Sequence, residues 1–199
     1  MARDRIGTQI EHLLRRGDWK SAQALIEKQL GKQPDDHWLW SRLSGVKYEQ
    51  RDYRGALEAA EKALEIVPDC PLALWSKAGA LEMLGRGKEA IGLYEQLFNR
   101  GLEQLKNPDS DADECWEGPD WTSRLMADCM FRTASCLAKT ALRDKAVKMY
   151  RLFLSLGDLG TQGIYSREDA LERLNKLVPS KKAKREAAVK MMEKELIPN

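Results

Sequence analysis

Apolar residues recur three or four positions apart along the first half of the chain, and each run ends at a break. Between residues 37 and 70 there are two such runs. The first contains Trp40 and Leu43 and ends at the polar pair Arg51-Asp52. The second, which ends at Pro68, has these apolar positions on one helix face: Ala56, Ala60, Ala63 and Leu64. This spacing predicts two amphipathic helices, and Pro68 ends the second because proline has no N–H.

The same two-helix pattern returns every 34 residues. Ala22, Ala56 and Ala90 share this spacing. Other sets in the same register are Gly17, Arg51 and Gly85; Ile26, Ala60 and Tyr94; Leu30, Leu64 and Phe98; and Pro34 with Pro68. A fixed period of this length indicates a solenoid of repeats, in which each alanine lets two helices cross closely. We expect Asp35 or Asp36, and Asp69, to cap the helices that follow the prolines.

The repeat resembles a known family. The stretch WSRLSGVKYEQRDYRGALEAAEKALEIVP is similar to the tetratricopeptide-repeat pattern W-x2-L-G…A-x3-F…P, and the matching residues are Trp40, Leu43, Ala56 and Pro68. Ser44 stands in place of the glycine and Lys47 in place of the tyrosine. Residues 3–36, 37–70 and 71–104 form three repeats on this basis. The resemblance implies an all-α fold, a right-handed superhelix of antiparallel helix pairs with capping helices at the C-terminal end.

The register is interrupted once, after the third repeat. Ala146 follows Ala90 by 56 residues, which places a degenerate fourth unit after an insertion of 22 residues. We expect its helices at about 120–140 and 143–156. The predicted domains are therefore residues 1–104 with three repeats, 105–119 as an inserted loop, 120–157 as the fourth helix pair, and 158–199 as capping helices.

The insertion is strongly acidic. Residues 107–120, NPDSDADECWEGPD, carry a net charge of −6, and their prolines and glycine predict a loop. A solvated linker is the favoured interpretation. The alternative is a regulatory loop or lid, in which Asp109, Asp111, Asp113 and Trp116 would act. The three aspartates lack the glycine and the bidentate glutamate of an EF-hand, so no calcium site is predicted.

Two further helices are expected at the C-terminal end. Ser166, with Asp169 three residues later, predicts a capped helix over residues 166–178. Pro179-Ser180 then precede a last helix, 180–196, with a local charge of +3. We interpret this helix as a cap that closes the solenoid. A basic amphipathic helix that binds anionic lipid or nucleic acid is the less favoured alternative.

Composition excludes several classes of protein. The 199 residues include 33 Lys+Arg and 31 Asp+Glu, and 43% are hydrophobic. This argues against a strongly basic nucleic-acid binder and against a disordered chain. No apolar run approaches the roughly 20 residues of a membrane span, and the first residues show no signal peptide. We therefore expect a cytoplasmic protein without membrane insertion or nucleic-acid binding.

The cysteines and histidines show no metal-binding spacing. Cys70, Cys115, Cys129 and Cys136 form no C-x-x-C pair, and the only histidines are His12 and His37. Zinc sites usually draw their ligands from close pairs of these residues, so no metal site is predicted. The thiols are expected to be reduced and to pack as small hydrophobes.

No catalytic motif is present in the sequence. Gly85-Arg86-Gly87-Lys88 lacks the first glycine and the Ser/Thr of a P-loop, and G-x-S-x-G and H-E-x-x-H are absent. We predict a non-catalytic protein that needs no cofactor.

The resemblance implies a concave groove, lined by the first helix of each repeat, that binds a protein or peptide partner. Mapped by register, the groove residues are Trp38, Ser41, Gly45, Tyr48, Trp75, Gly79, Glu82 and Phe131. The basic clamp that holds chaperone-tail carboxylates in some family members is absent, because Gly7, Glu11, Gly45, Gly79 and Met83 occupy its positions. Aromatic residues beside glycines favour a peptide with apolar anchors. The alternative is self-assembly through the last helix into a homo-oligomer.

Overall fold

The chain forms a succession of α-helices. The computed structural model describes residues 2–107, 115–116, 118–157 and 163–178. Within these residues there are nine helices and no strand. Their bounds are α1 Ala2–Arg15, α2 Trp19–Leu30, α3 His37–Glu49, α4 Tyr53–Ile66, α5 Pro71–Met83, α6 Gly87–Lys106, α7 Pro119–Ala138, α8 Arg143–Gly157 and α9 Arg167–Leu177. None of them is long and apolar enough to cross a membrane.

Each helix packs against the next one along the chain, as in a solenoid of helix pairs. In addition, α3 packs on α5 and α7 packs on α9. The all-α repeat fold expected from the sequence is therefore confirmed. The predicted helix 180–196 lies outside the described residues.

The repeat register explains where the helices meet. The four alanines at the helix crossings, Ala22, Ala56, Ala90 and Ala146, all have no exposed surface. At such positions a larger side chain would push the two backbones apart. Tyr94 and Tyr150, four residues after two of these alanines, are also buried. This complete burial agrees with the expectation that small residues occupy the positions where helices pack closely.

The turn inside each of the first three repeats requires a left-handed backbone. Gly17 and Gly85 have φ angles of 69° and 80°, and Arg51, at the equivalent position, has a φ of 65°. Among the described residues Arg51 is the only non-glycine residue with a positive φ. A side chain in this conformation is strained, and glycine removes that strain.

Helix caps agree with the sequence in part. Asp36 accepts hydrogen bonds from the amides of Trp38 and Leu39, and Ser166 and Asp169 form the expected capping box. The prediction for Asp69 was wrong: Cys70 is the N-cap of α5 and makes no side-chain cap bond. Asp69 instead pairs with Arg100 on α6 at 3.3 Å.

The departure from the family pattern at Ser44 has a packing role. Its side chain is completely buried, and its hydroxyl donates a 2.7 Å hydrogen bond to the carbonyl of Ala56 on α4. A buried hydroxyl needs such a partner. Ser44 therefore links the two helices of the second repeat.

Candidate peptide-binding groove

A cavity of about 340 Å³ opens between α3, α5 and α7. This volume falls in the range of about 300–1,000 Å³ that is usual for ligand pockets. Its walls come mainly from the first helices of successive pairs, with Trp19 from the start of α2 and two residues from the segment that precedes α9. The lining residues are Leu14, Trp19, Ser41, Arg42, Gly45, Val46, Tyr48, Glu49, Leu72, Trp75, Ser76, Gly79, Arg132, Ile164 and Tyr165.

Five of the eight residues expected to form the groove line this cavity: Ser41, Gly45, Tyr48, Trp75 and Gly79. Gly45 faces open space, since a Cβ added there would meet nothing within 4 Å. Gly79 gives Tyr48 and Arg132 room, because an added Cβ would lie 3.5 Å from the Tyr48 ring and 3.4 Å from Arg132. The two glycines therefore differ, because Gly45 borders open space and Gly79 leaves room for neighbouring side chains.

The other three expected groove residues lie outside the cavity lining. Trp38 packs against the hydrophobic core of the first two repeats, and the Arg42 guanidinium lies 5.1 Å from the centroid of its ring. Phe131 is only 1% exposed and packs against Tyr150, Phe153 and Tyr165. Its neighbour Arg132 is the residue of α7 that reaches the cavity. The position mapped for α7 is thus displaced by one residue, and Phe131 contributes to the core.

Glu82, the third of these residues, is the partner of Arg132. Its carboxylate lies 2.8 Å from the Arg132 guanidinium and 3.2 Å from the Lys139 ammonium group. The Glu82 and Arg132 side chains are only 8% and 13% exposed. A pair so shielded from water holds its geometry, since either charge alone would be costly to bury.

Arg132 also organises the tyrosines of the groove. Its guanidinium donates hydrogen bonds to the hydroxyls of Tyr165 at 2.7 Å, Tyr94 at 3.1 Å and Tyr48 at 3.4 Å. The Trp75 ring lies 5.8 Å from the same group, a cation–π distance. Burial raises the pKa of the Tyr94 hydroxyl, so this tyrosine is neutral and accepts the hydrogen bond. Arg132 thereby fixes aromatic residues from α3, α5, α6 and the segment before α9.

Residues 163–165 form one end of the cavity, and Asp128 holds them there. One carboxylate oxygen of Asp128 accepts hydrogen bonds from the amides of Ile164 at 2.7 Å and Tyr165 at 3.5 Å. A Cβ on Gly163 would collide with this carboxylate, so only glycine fits. Burial raises the pKa of Asp128 to about 6, although the two amide bonds act in the opposite direction. The Ile164 side chain is left 74% exposed at the rim.

The sequence alone did not identify Arg132, Ile164 or Tyr165 as cavity residues. The repeat pattern resumes after the insertion but ends with the fourth helix pair, so it gives no alignment for the segment after α8. An arginine flanked by apolar residues in MFRTAS was the one available signal, because arginine rarely enters such a face without a partner.

The acidic insertion is described only near its end. Asp109, Asp111 and Asp113 lie outside the described residues. Trp116 packs edge-on against Trp121 of α7, with ring centroids 5.7 Å apart, and contacts the core cluster that contains Tyr94 and Leu97. Trp116 is therefore packed against α7 of the same chain.

Comparisons with known proteins agree with this fold. A family model for the tetratricopeptide repeat matches residues 42–100. None of the curated proteins matches the sequence. Among solved structures, the chain is similar to the crystal structure of MamA, with a TM-score of 0.54 and 14% identity over 90% of this chain and 96% of that one.

Two other solved structures are similar with slightly lower TM-scores. One is MamA 41-end from Desulfovibrio magneticus RS-1, with a TM-score of 0.50 and 13% identity over 87% of this chain and 92% of that one. The other is the MamA RS-1 ArsTM double mutant, with a TM-score of 0.50 and 13% identity over 92% and 95%. At these identities the likeness concerns the fold alone.

Proposed function

We propose that this chain, a tetratricopeptide-repeat protein, is a non-catalytic interaction module that binds a peptide segment with apolar anchors in the cavity between α3, α5 and α7. The observation that carries the proposal is the open space beside Gly45, bordered by Trp75 and the exposed Ile164. Solenoid repeats commonly use extended surfaces of this kind to bind partners.

The character of the cavity walls indicates which peptide would fit. Leu14, Leu72, Trp75 and Ile164 supply apolar surface. The charge of Arg132 is balanced by Glu82, and that of Arg42 by Glu11 at 2.8 Å. With both cations already paired, shape and apolar contact would contribute most of the affinity. A large aliphatic or aromatic side chain inserted beside Gly45 is the anchor that this environment favours.

The rigidity of the walls supports the same function. Tyr48, Trp75 and Tyr165 are held by Arg132 before any partner arrives. A site already arranged in this way loses little side-chain entropy on binding, which strengthens the affinity for a given contact area. A dissociation constant in the micromolar range, equivalent to about −8 kcal/mol, is the expected order of magnitude.

The test uses a library of random peptides displayed on phage and selected against the immobilised full chain. Gly45→Leu should fill the cavity and weaken binding of the selected peptides about tenfold or more. Because Gly45 lies in a helix with open space beside it, leucine should also improve helix formation. Loss of binding could then not be attributed to loss of the fold.

Gly92→Leu is the matched control. Gly92 is also an exposed helical glycine with nothing within 4 Å of an added Cβ, but it lies on α6 away from the cavity. Peptides should bind this variant as they bind the wild type. Equal binding to the Gly45→Leu and Gly92→Leu variants would contradict the proposed site.

A further inference from the structure

Three potential metal ligands from distant parts of the sequence meet at one edge of the solenoid. They are the imidazole of His37 and the thiols of Cys70 and Cys115, and their ligand atoms all lie within 4.8 Å of one another. Sγ of Cys115 is 3.3 Å from Nε2 of His37, although the two residues are 78 positions apart in the sequence. Cys70 is 2% exposed, and the other two residues are half-buried.

The repeat architecture brings these residues together. His37 is the first residue of α3, and Cys70 is the N-cap of α5, so both lie at the start of the first helix of a repeat. Cys115 precedes α7, the next first helix, by a few residues. Neighbouring repeats place the beginnings of these helices along the same edge. The packing of Cys115 against the cluster that contains Cys70 completes the arrangement.

We propose that His37, Cys70 and Cys115 bind a zinc ion. Two thiolates and one imidazole are ligands that zinc prefers, whereas calcium and magnesium require oxygen ligands. Tetrahedral zinc bonds of about 2.3 Å to sulfur and 2.0–2.1 Å to nitrogen put the ligand atoms about 3.5–3.8 Å apart. The 3.3 Å and 4.8 Å limits observed here bracket that separation, so small side-chain rotations suffice.

The three protein ligands leave one tetrahedral position for a water molecule or an exogenous ligand. Each thiol loses its proton when it binds the metal, so the affinity should rise with pH until both thiols are ionised.

A bound zinc ion would connect three parts of the chain. It would join the second repeat through His37, the third repeat through Cys70, and the end of the acidic insertion through Cys115. Trp116, the next residue, already packs on Trp121. The site would therefore fasten the insertion to the edge of the repeats. This inference does not depend on the proposed peptide groove, since none of the three ligands lines the cavity.

The test is metal binding by the reduced, metal-free full chain. Cobalt(II), used as a spectroscopic substitute for zinc, should produce a thiolate-to-metal charge-transfer absorption that saturates at one ion per chain. Competition between the protein and a chromophoric chelator then gives the zinc affinity. Cys70→Ser, Cys115→Ser and His37→Gln should each weaken zinc binding about a hundredfold or more, since even outer-shell changes cost 10–100-fold.

A loss of zinc binding in these variants can be distinguished from a loss of the fold. Serine is a good N-cap residue, so Cys70→Ser should keep α5 intact, and Cys115 lies outside every helix. Circular dichroism verifies the helical content of each variant. Cys136→Ser and His12→Gln, which alter a buried thiol and an exposed imidazole elsewhere, should bind zinc like the wild type.

Two results would overturn the inference. One is a folded, reduced protein that shows no charge-transfer absorption with cobalt and does not compete with the chelator for zinc. The other is an affinity that is unchanged in both Cys70→Ser and Cys115→Ser, or reduced equally in Cys136→Ser.

Discussion

Tyr165 lies flat on Phe131, with ring centroids 4.0 Å apart and planes inclined by 7°. The stacking covers one face of Phe131, and the Tyr165 hydroxyl accepts a 2.7 Å hydrogen bond from Arg132, the next residue of α7. A segment that follows the fourth helix pair thus completes a cavity begun by the second and third repeats. The stability of this contact depends on Arg132, Asp128 and Gly163.

Replacing Arg132 by methionine should destabilise the fold by about 3 kcal/mol, because buried Glu82 would keep only the exposed Lys139 ammonium group and the Tyr94 hydroxyl as partners. The free energy of unfolding in urea measures the effect. The double variant Arg132→Met/Glu82→Met is the control and should recover part of the loss, since it leaves no uncompensated charge. A loss below about 1 kcal/mol in the single variant would show that the pair is well hydrated.

Gly163→Ala should destabilise the protein by about 1–3 kcal/mol, because the added methyl group would push residues 163–165 away from Asp128. Thermal unfolding monitored by circular dichroism measures the change. Gly92→Ala serves as the comparison, since it adds the same group to a helix facing open space and should stabilise by up to about 1 kcal/mol. If both variants shift the melting temperature alike, the close approach at Gly163 has no energetic consequence.

Because of Asp128, the free energy of unfolding should fall as the pH rises from about 4 to about 6. Its pKa is raised from 3.8 to about 6 by burial, so in this interval the folded state holds a proton that the unfolded state has lost. The stabilisation is complete below the lower value and lost above the higher one.

The comparison with Asp128→Asn isolates this effect from other carboxylates, because the asparagine oxygen can still accept the two amide hydrogen bonds. The free energy of unfolding of the wild type, minus that of the variant, should decrease between pH 4 and pH 6. A difference that is constant or rises over this interval would contradict the raised pKa.

Arg51→Gly should stabilise the protein by about 0.5–1 kcal/mol. The left-handed conformation at position 51 costs a non-glycine residue about 1–2 kcal/mol, and the greater flexibility of glycine in the unfolded chain offsets part of the gain. Equilibrium unfolding measures the change. Arg51→Ala removes the charge but keeps the Cβ, so it should give no such gain; equal gains in the two variants would assign the effect to the charge.

The repeat architecture could be read from the sequence because its signal is local and recurrent. A buried alanine such as Ala56, a left-handed turn such as Arg51 and a helix-ending proline such as Pro68 each occupy the same place in successive repeats. A repeat in which one position departs from the pattern can therefore still be identified from the neighbouring repeats. The caps were harder to predict, since Asp69 had Arg100 as a competing partner from another helix.

The candidate groove was predicted only in part, for a physical reason that Phe131 illustrates. Helical residues one position apart point about 100° apart, so Phe131 and Arg132 belong to different faces of α7. The insertion removes the register that would have distinguished them. Which residue reaches the cavity was decided by the packing of Tyr165 and by the charge of Glu82, neither of which is encoded near position 131.

The sequence by itself determined the helical repeat, because periodic apolar positions and turn residues act within a few residues of one another. Only the tertiary structure decided the Arg132 network, the position of Ile164 at the rim, and the meeting of His37, Cys70 and Cys115. These contacts join residues separated by whole helices, up to 84 positions apart between Tyr48 and Arg132. Which of these residues meet depends on how the repeats stack in space. The local spacing of residues along the chain does not specify that stacking.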